Sequence, residues 1–241
     1  MKSRLMRSRT FALGSLACAL LAGCALNDSG YKPGELGNGG FYFSCDDAAA
    51  CSRYSDDASK FPKDISVSST FAVRFKPKTE NSAVTIQFDD RDAVNRGITV
   101  STIGDFVTKG PTWLTAVKTG YTSLVARDAR GFVIDYTVVR IARPDSLVVF
   151  AADEASTTPA RVDKITLGLT DRRAFRAFAQ KDNAELAGSL QLAWTSSDPT
   201  VVAIESAADG KATIVARRNG NATLTVKGAA LEQSIPVEVA P

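Results

Sequence analysis

Apolar and polar positions alternate along most of this chain, from Phe41 onward. In DISVSSTFAVRFKP the apolar positions are Ile65, Val67, Phe71, Val73 and Phe75. A period of two puts such residues on one face of a β-strand. SAVTIQFDD places Val84, Ile86 and Phe88 on one face in the same way. FYFSC, at residues 41–45, is aromatic and β-prone. TWLTAVKTGYTSLVARDARGFVIDYTVVRIARP predicts three strands. Gly120 separates the first two, DARG (128–131) turns the second into the third, and Pro144 closes the segment.

A second set starts at DSLVVF and runs through ARVDKITLGLT, LQLAWTSSD, VVAIES, KATIVARRNGNATLTVKG and LEQSIPVEVAP. AADG (207–210) and RNGN (218–221) are its turn signals. RRAFRAFAQKDNAELAG has a helix-favouring composition, yet Phe175, Ala177 and Ala179 alternate strictly. The surrounding strands decide for a strand followed by a loop. Gly120 and Gly220 occupy matching places in the two sets, 100 residues apart, about the size of one immunoglobulin-type domain. The expected fold class is therefore all-β: two tandem Ig-like β-sandwich domains, at 41–144 and 145–241. They follow a signal peptide at 1–23 and a flexible tether at 24–40.

The N-terminus reads differently. MKSRLMRSR carries Lys2, Arg4, Arg7 and Arg9 and no acid, and TFALGSLACALLAG behind it is apolar or small throughout. That is the pattern of a secretory signal, too short for a membrane span of about 20 apolar residues. The run ends in LAGC, Leu21 to Cys24, which resembles the lipobox of bacterial lipoproteins. The resemblance implies that Cys24 is acylated, that cleavage occurs before it, and that the protein is anchored by lipid in a bacterial cell envelope. Ala25 follows the cysteine, and by the same resemblance a residue other than Asp there implies the outer membrane. SLAC, ending at Cys18, is a poorer match because Ser15 replaces the aliphatic residue. Cys18 then leaves with the signal, and Cys45 and Cys51 remain as the pair expected to form a disulfide outside the cytoplasm.

LAWTSSDPTVVAIESAADGKATIVARRNGNATLTVKG resembles the bacterial Ig-like domain, group 2, of intimin- and invasin-type surface proteins. Trp194, TSSDP with Asp198 and Pro199, Gly210, Gly220 and the ATLTV strand carry the likeness. Trp194 is expected to fill the space between sheets, Asp198 and Pro199 to make a turn, and Gly220 to permit a positive φ. In the first set GITVSTIGD stands where W-x-S-S-D is expected, so its subgroup stays open. The resemblance brings no catalytic residues; its modules serve as spacers, adhesive tips or accessory domains.

Charge and chemistry narrow the function. The chain has 29 Lys and Arg against 26 Asp and Glu. Loss of residues 1–23 removes four of the basic residues, which leaves a net charge of −1. No long basic patch remains, and a nucleic-acid partner is disfavoured. The sequence contains no His, which rules out Ser-His-Asp, Cys-His and His-containing zinc sites. Asp56 and Asp57, and Asp89, Asp90 and Asp92, could collect a cation but match no calcium-loop pattern, so no metal and no cofactor are expected. The SGYK spelling at 29–32 is a chance match to a Ser-Lys motif. The leading expectation is a lipid-anchored, non-catalytic binding, adhesion or spacer protein with an unidentified protein or polysaccharide partner. The alternatives are a periplasm-facing structural or assembly component and a carbohydrate-active enzyme using paired carboxylates.

Overall fold

The computed structural model describes residues 34–45, 51, 60–79, 87–88, 97–110, 113–152, 161–208 and 210–241. The signal peptide, Cys18, Cys24, Val84, Ile86, the SGYK spelling and the aspartates at 56, 57, 89, 90 and 92 lie outside those residues.

Among the described residues every regular element is a strand and none is an α-helix. In chain order the first nine are β1 (Gly39–Ser44), β2 (Asp64–Ser66), β3 (Thr70–Thr79), β4 (Gln87–Phe88), β5 (Thr99–Thr102), β6 (Val107–Lys109), β7 (Leu114–Ala116), β8 (Gly120–Arg127) and β9 (Val133–Ala142). The remaining nine are β10 (Ser146–Ala151), β11 (Ile165–Gly168), β12 (Arg172–Lys181), β13 (Ala184–Glu185), β14 (Ala193–Ser196), β15 (Val202–Ala208), β16 (Lys211–Ala216), β17 (Gly220–Gly228) and β18 (Leu231–Ala240). The ambiguous 172–188 segment is a strand through Lys181, as the alternation of Phe175, Ala177 and Ala179 requires; all three are buried.

The strands form four sheets, packed in two pairs. One sheet, ordered β1-β3-β7-β6, faces another ordered β2-β9-β8-β5 across a core that includes Phe43, Phe71, Leu124 and Ile141. Further along, β10-β12-β16-β15 faces β11-β18-β17-β14 across a core built on Phe175, Trp194, Ile214 and Leu224. This is the Ig-like sandwich architecture: inward residues alternate with outward ones, and two inner faces interdigitate.

The two sandwiches share local contacts as well as order. β2 lies parallel to β9, and β11 lies parallel to β18. After each of these short strands one residue takes a positive φ, Ser68 at 68° and Thr170 at 72°. Ser68 N–H then donates to Ala116 C=O at 2.8 Å, and Thr170 N–H to Ala216 C=O at 3.1 Å. Gly120 and Gly220, at φ 145° and 148°, begin β8 and β17. A side chain at Gly120 would strike the Phe106 ring, and one at Gly220 would crowd Val201 at 3.3 Å. RNGN is therefore a crossing between sheets: β16 belongs to one sheet and β17 to the facing one.

The cores are filled differently. Trp194 on β14 pairs with Val226, whereas Val100 holds the matching place on β5, opposite Ala126. The first core makes up the volume with phenylalanines, including Phe43 and Phe71, stacked at 5.4 Å between centroids. Aromatic pairs of this kind add about 0.5–1.5 kcal/mol beyond area burial.

The expected tether reached residue 40, and the structure corrects its end. Gly39 and Gly40 already pair with Pro77 and Lys76 in β1. Residues 34–38 wrap the fully buried carboxylate of Asp135, which accepts the amide N–H of Leu36 at 2.9 Å, of Asn38 at 2.8 Å and of Tyr136 at 2.8 Å. Glycine composition suggested flexibility there. Instead Gly34 is small because Asp135 stands where its side chain would be.

The β17–β18 hairpin closes on Ala229 and Ala230, both at positive φ, 51° and 62°. A left-handed conformation costs a non-glycine residue roughly 1–2 kcal/mol, and two-residue hairpin loops favour Asn-Gly for that reason. Replacing the pair by Ala229→Asn and Ala230→Gly is expected to raise stability by about 1–2 kcal/mol. A denaturant midpoint that rises at unchanged m-value is the confirming result, and an unmoved midpoint counts against it.

Candidate functional site

Two places bring together residues that sequence patterning left apart. The first is a joint. Residues 187–189, which follow β13, pair across to the other sandwich along β2 and the start of β3. Ser66 N–H donates to Ala187 C=O at 2.9 Å, and Ala187 N–H to Asp64 C=O at 3.0 Å. Thr70 and Ser189 exchange both backbone bonds, each at 2.9 Å. Ala187 is 2% exposed and packs into the first core, although it lies within the expected second domain. Gly188 has φ 109°, and a β-carbon there would collide with the Ser69 side chain. β2 is thus flanked on both sides, by β9 and by Ala187.

The second place is a groove of about 340 Å³ over the edge of β9. Its apolar wall includes Phe61, Pro62, Tyr121 and Val138. Tyr121 is 68% exposed and Val138 44%, so both present apolar surface to solvent. Its polar wall contains Asp64 and Arg140, joined by a bidentate pair with Nε to Oδ1 at 2.7 Å and Nη2 to Oδ2 at 2.9 Å. Asp64 holds the Arg140 guanidinium above its ordinary value, first by hydrogen bonding and then by charge, and Tyr121 and Asp182 add to this. Lys63 and Glu35 complete the charged lining.

The backbone inside the groove is partly open. Tyr136 C=O accepts from Glu35 N–H at 2.8 Å, and Arg140 N–H donates to Lys63 C=O at 2.8 Å. Both bonds point away from β8. The pairing of an antiparallel strand alternates, so Val138, between them, also directs its N–H and C=O away from β8. No backbone partner meets Val138 on that side among the described residues.

The residues singled out from sequence hold structural places. Cys45 and Cys51 are bonded and buried in the first core. Trp194 is 7% exposed in the second core, its indole N–H without a hydrogen-bond partner among the described residues. Asp198 accepts from the Thr200 hydroxyl at 2.6 Å and amide at 2.9 Å, and its backbone carbonyl accepts from Val201 and Val202. The Thr200 hydroxyl, then its amide, hold the Asp198 carboxyl below the ordinary range. Pro199 sits in that turn, and Gly120 and Gly220 sit at the sheet crossings. None of these residues lines the groove. Arg140 and Asp64, 76 residues apart, carried no local signal; only the register between β2 and β9 joins them.

No family model matches the chain. No curated protein matches it either. Among solved structures, the S-layer protein SbsC (residues 31–844) is similar at 13% identity and TM-score 0.33, over 71% of this chain and 23% of that one. Yersinia pseudotuberculosis InvD is similar at 18% identity and TM-score 0.33, over 75% of this chain and 56% of that one. Invasin, a bacterial integrin-binding protein, gives 14% identity and TM-score 0.26, over 83% of this chain and 40% of that one. The chain spans about a quarter of the S-layer chain it matches. Identities this low speak to fold alone, and TM-scores this low carry no functional weight.

The joint and the disulfide each generate a test. Gly188→Val forces a side chain into Ser69 at a positive φ, and four backbone bonds of about 1 kcal/mol each should be lost together. Small-angle scattering should then show a larger radius of gyration with both cores intact; an unchanged scattering curve would show that the joint tolerates the change. Reduction of Cys45–Cys51 should cost on the order of 2 kcal/mol, confined to the first sandwich. Hydrogen exchange should speed up in β1 and β3 and stay constant in β17 and β18. Equal acceleration in both sandwiches is the contrary outcome.

Proposed function

We propose that this chain is a lipid-anchored cell-envelope protein in which two joined β-sandwiches act as a non-catalytic binding or spacing element. The joint is the observation that carries the reading. A spacer or adhesive arm must keep its far end at a fixed reach, and a joint made of backbone pairing resists bending better than a peptide linker. The linker at 143–145 is short, and Asp145 is tied to the Asp182 amide at 3.0 Å and to Lys181 at 3.2 Å, which removes slack from it. The LAGC spelling and the charged, apolar N-terminus support the anchor. The lack of His throughout the sequence supports the absence of the commonest acid–base chemistry.

The anchor and the orientation are tested together. Cys24→Ser should abolish incorporation of labelled palmitate and leave residues 1–23 attached. Normal processing and membrane fractionation of that variant would overturn the lipid anchor. Protease treatment of intact cells should remove the wild-type protein if it faces outward; full protection would place the binding role on the periplasmic side.

A further inference from the structure

We propose that the groove over the edge of β9 is a carbohydrate subsite that takes one neutral pyranose ring. The inference rests on the reading of the protein as a non-catalytic envelope binder and names the chemistry of what it binds.

Val138 decides the size of the occupant. Its N–H and C=O face the groove as an adjacent donor and acceptor, and the positions on either side are filled by Glu35 and Lys63. An extended peptide joining a sheet edge needs consecutive open positions. Here the peptide would collide with residue 35 in one direction and residue 63 in the other. The slot therefore admits a compact ligand that offers both a donor and an acceptor on one edge. Adjacent ring hydroxyls do so, since each both donates and accepts.

The walls decide its character. The exposed Tyr121 ring gives a flat apolar surface beside polar groups, which suits the C–H face of a sugar ring. Arg140 commits Nε and one Nη2 hydrogen to Asp64, and its remaining N–H groups can meet further acceptors. The bidentate pair holds both side chains in one plane, so they recognise a ligand without first being ordered. Two cations, Lys63 and Arg140, face two anions, Glu35 and Asp64, which favours a neutral ligand over a charged one. At about 340 Å³ the groove is at the small end of ligand sites, which run from about 300 to 1,000 Å³.

Saturation-transfer NMR tests the subsite on the full-length chain in a detergent without a sugar headgroup. The probes are methyl glucoside, methyl galactoside, methyl mannoside and N-acetylglucosamine. Transfer to the C–H protons of one ring face is expected for at least one of them. Tyr121→Ala, at an exposed position, should weaken that binding about tenfold with an unchanged melting temperature, and Tyr121→Trp should retain it. Absence of transfer to all of these sugars overturns the subsite, as does undiminished binding by Tyr121→Ala. Release of reducing sugar from envelope glycan by the wild-type chain would instead overturn the non-catalytic reading. Binding without release supports both.

Discussion

Backbone pairing between residues 187–189 and the β2–β3 corner is the constraint on which the rest of the molecule depends. Two β-sandwiches in series usually meet through side chains, and such contacts leave room for rocking. Here Ser66, Ala187, Thr70 and Ser189 exchange main-chain hydrogen bonds, so a strand of one sandwich is effectively edged by the other. The approach is possible only because position 188 lacks a side chain and adopts φ 109°. Ala187 then reaches the first core, and separating the sandwiches would expose a buried side chain as well as eight main-chain polar groups. Buried main-chain groups left unpaired cost about 1–3 kcal/mol each, so partial opening is disfavoured.

The groove inherits its geometry from that joint. β2 has only three residues, and it is paired on both sides. Held between β9 and Ala187, it fixes the Lys63 carbonyl on Arg140 and the Asp64 carboxylate on the Arg140 guanidinium. On the other side of Val138, the buried Asp135 carboxylate fixes residues 34–38 and with them Glu35. Two unrelated anchors thus flank Val138, whose outward backbone groups have no backbone partner among the described residues.

The sequence was informative where the physics is local. Period-two alternation located β3, β8, β9, β12 and β18, because each has a buried face and a solvent face. Trp194 and the Asp198 turn were legible because one is a large side chain on a short strand and the other binds its own next residues. The joint was hidden in AELAG, where a loop composition pairs with residues about 120 positions earlier. Residues 34–40 misled for a related reason. Glycines that permit flexibility in an open chain also permit close approach to Asp135 and Phe75 in a folded one.

The difference between the two repeats is equally non-local, and it explains two residues that look interchangeable. Ser69 and Asp171 hold the same place: Ala116 N–H donates to Ser69 C=O at 3.0 Å, and Ala216 N–H to Asp171 C=O at 2.9 Å. Three residues earlier stand Ser66 and Gly168, each with an amide at the end of its sandwich. Ser66 N–H reaches across the joint to Ala187. Gly168 N–H donates to the Asp171 carboxylate at 2.8 Å, within its own sandwich. A carboxylate at position 69 would compete with Ala187 for that amide and would crowd Gly188. A serine at position 171 would reach back less far and leave the Gly168 donor to solvent. The hydroxyl at 69 instead turns away and donates to the Ser66 carbonyl at 2.6 Å, which clears the amide for the neighbouring sandwich. One repeated corner is therefore tuned by a single side chain, to accept a backbone from outside in one case and to satisfy itself in the other.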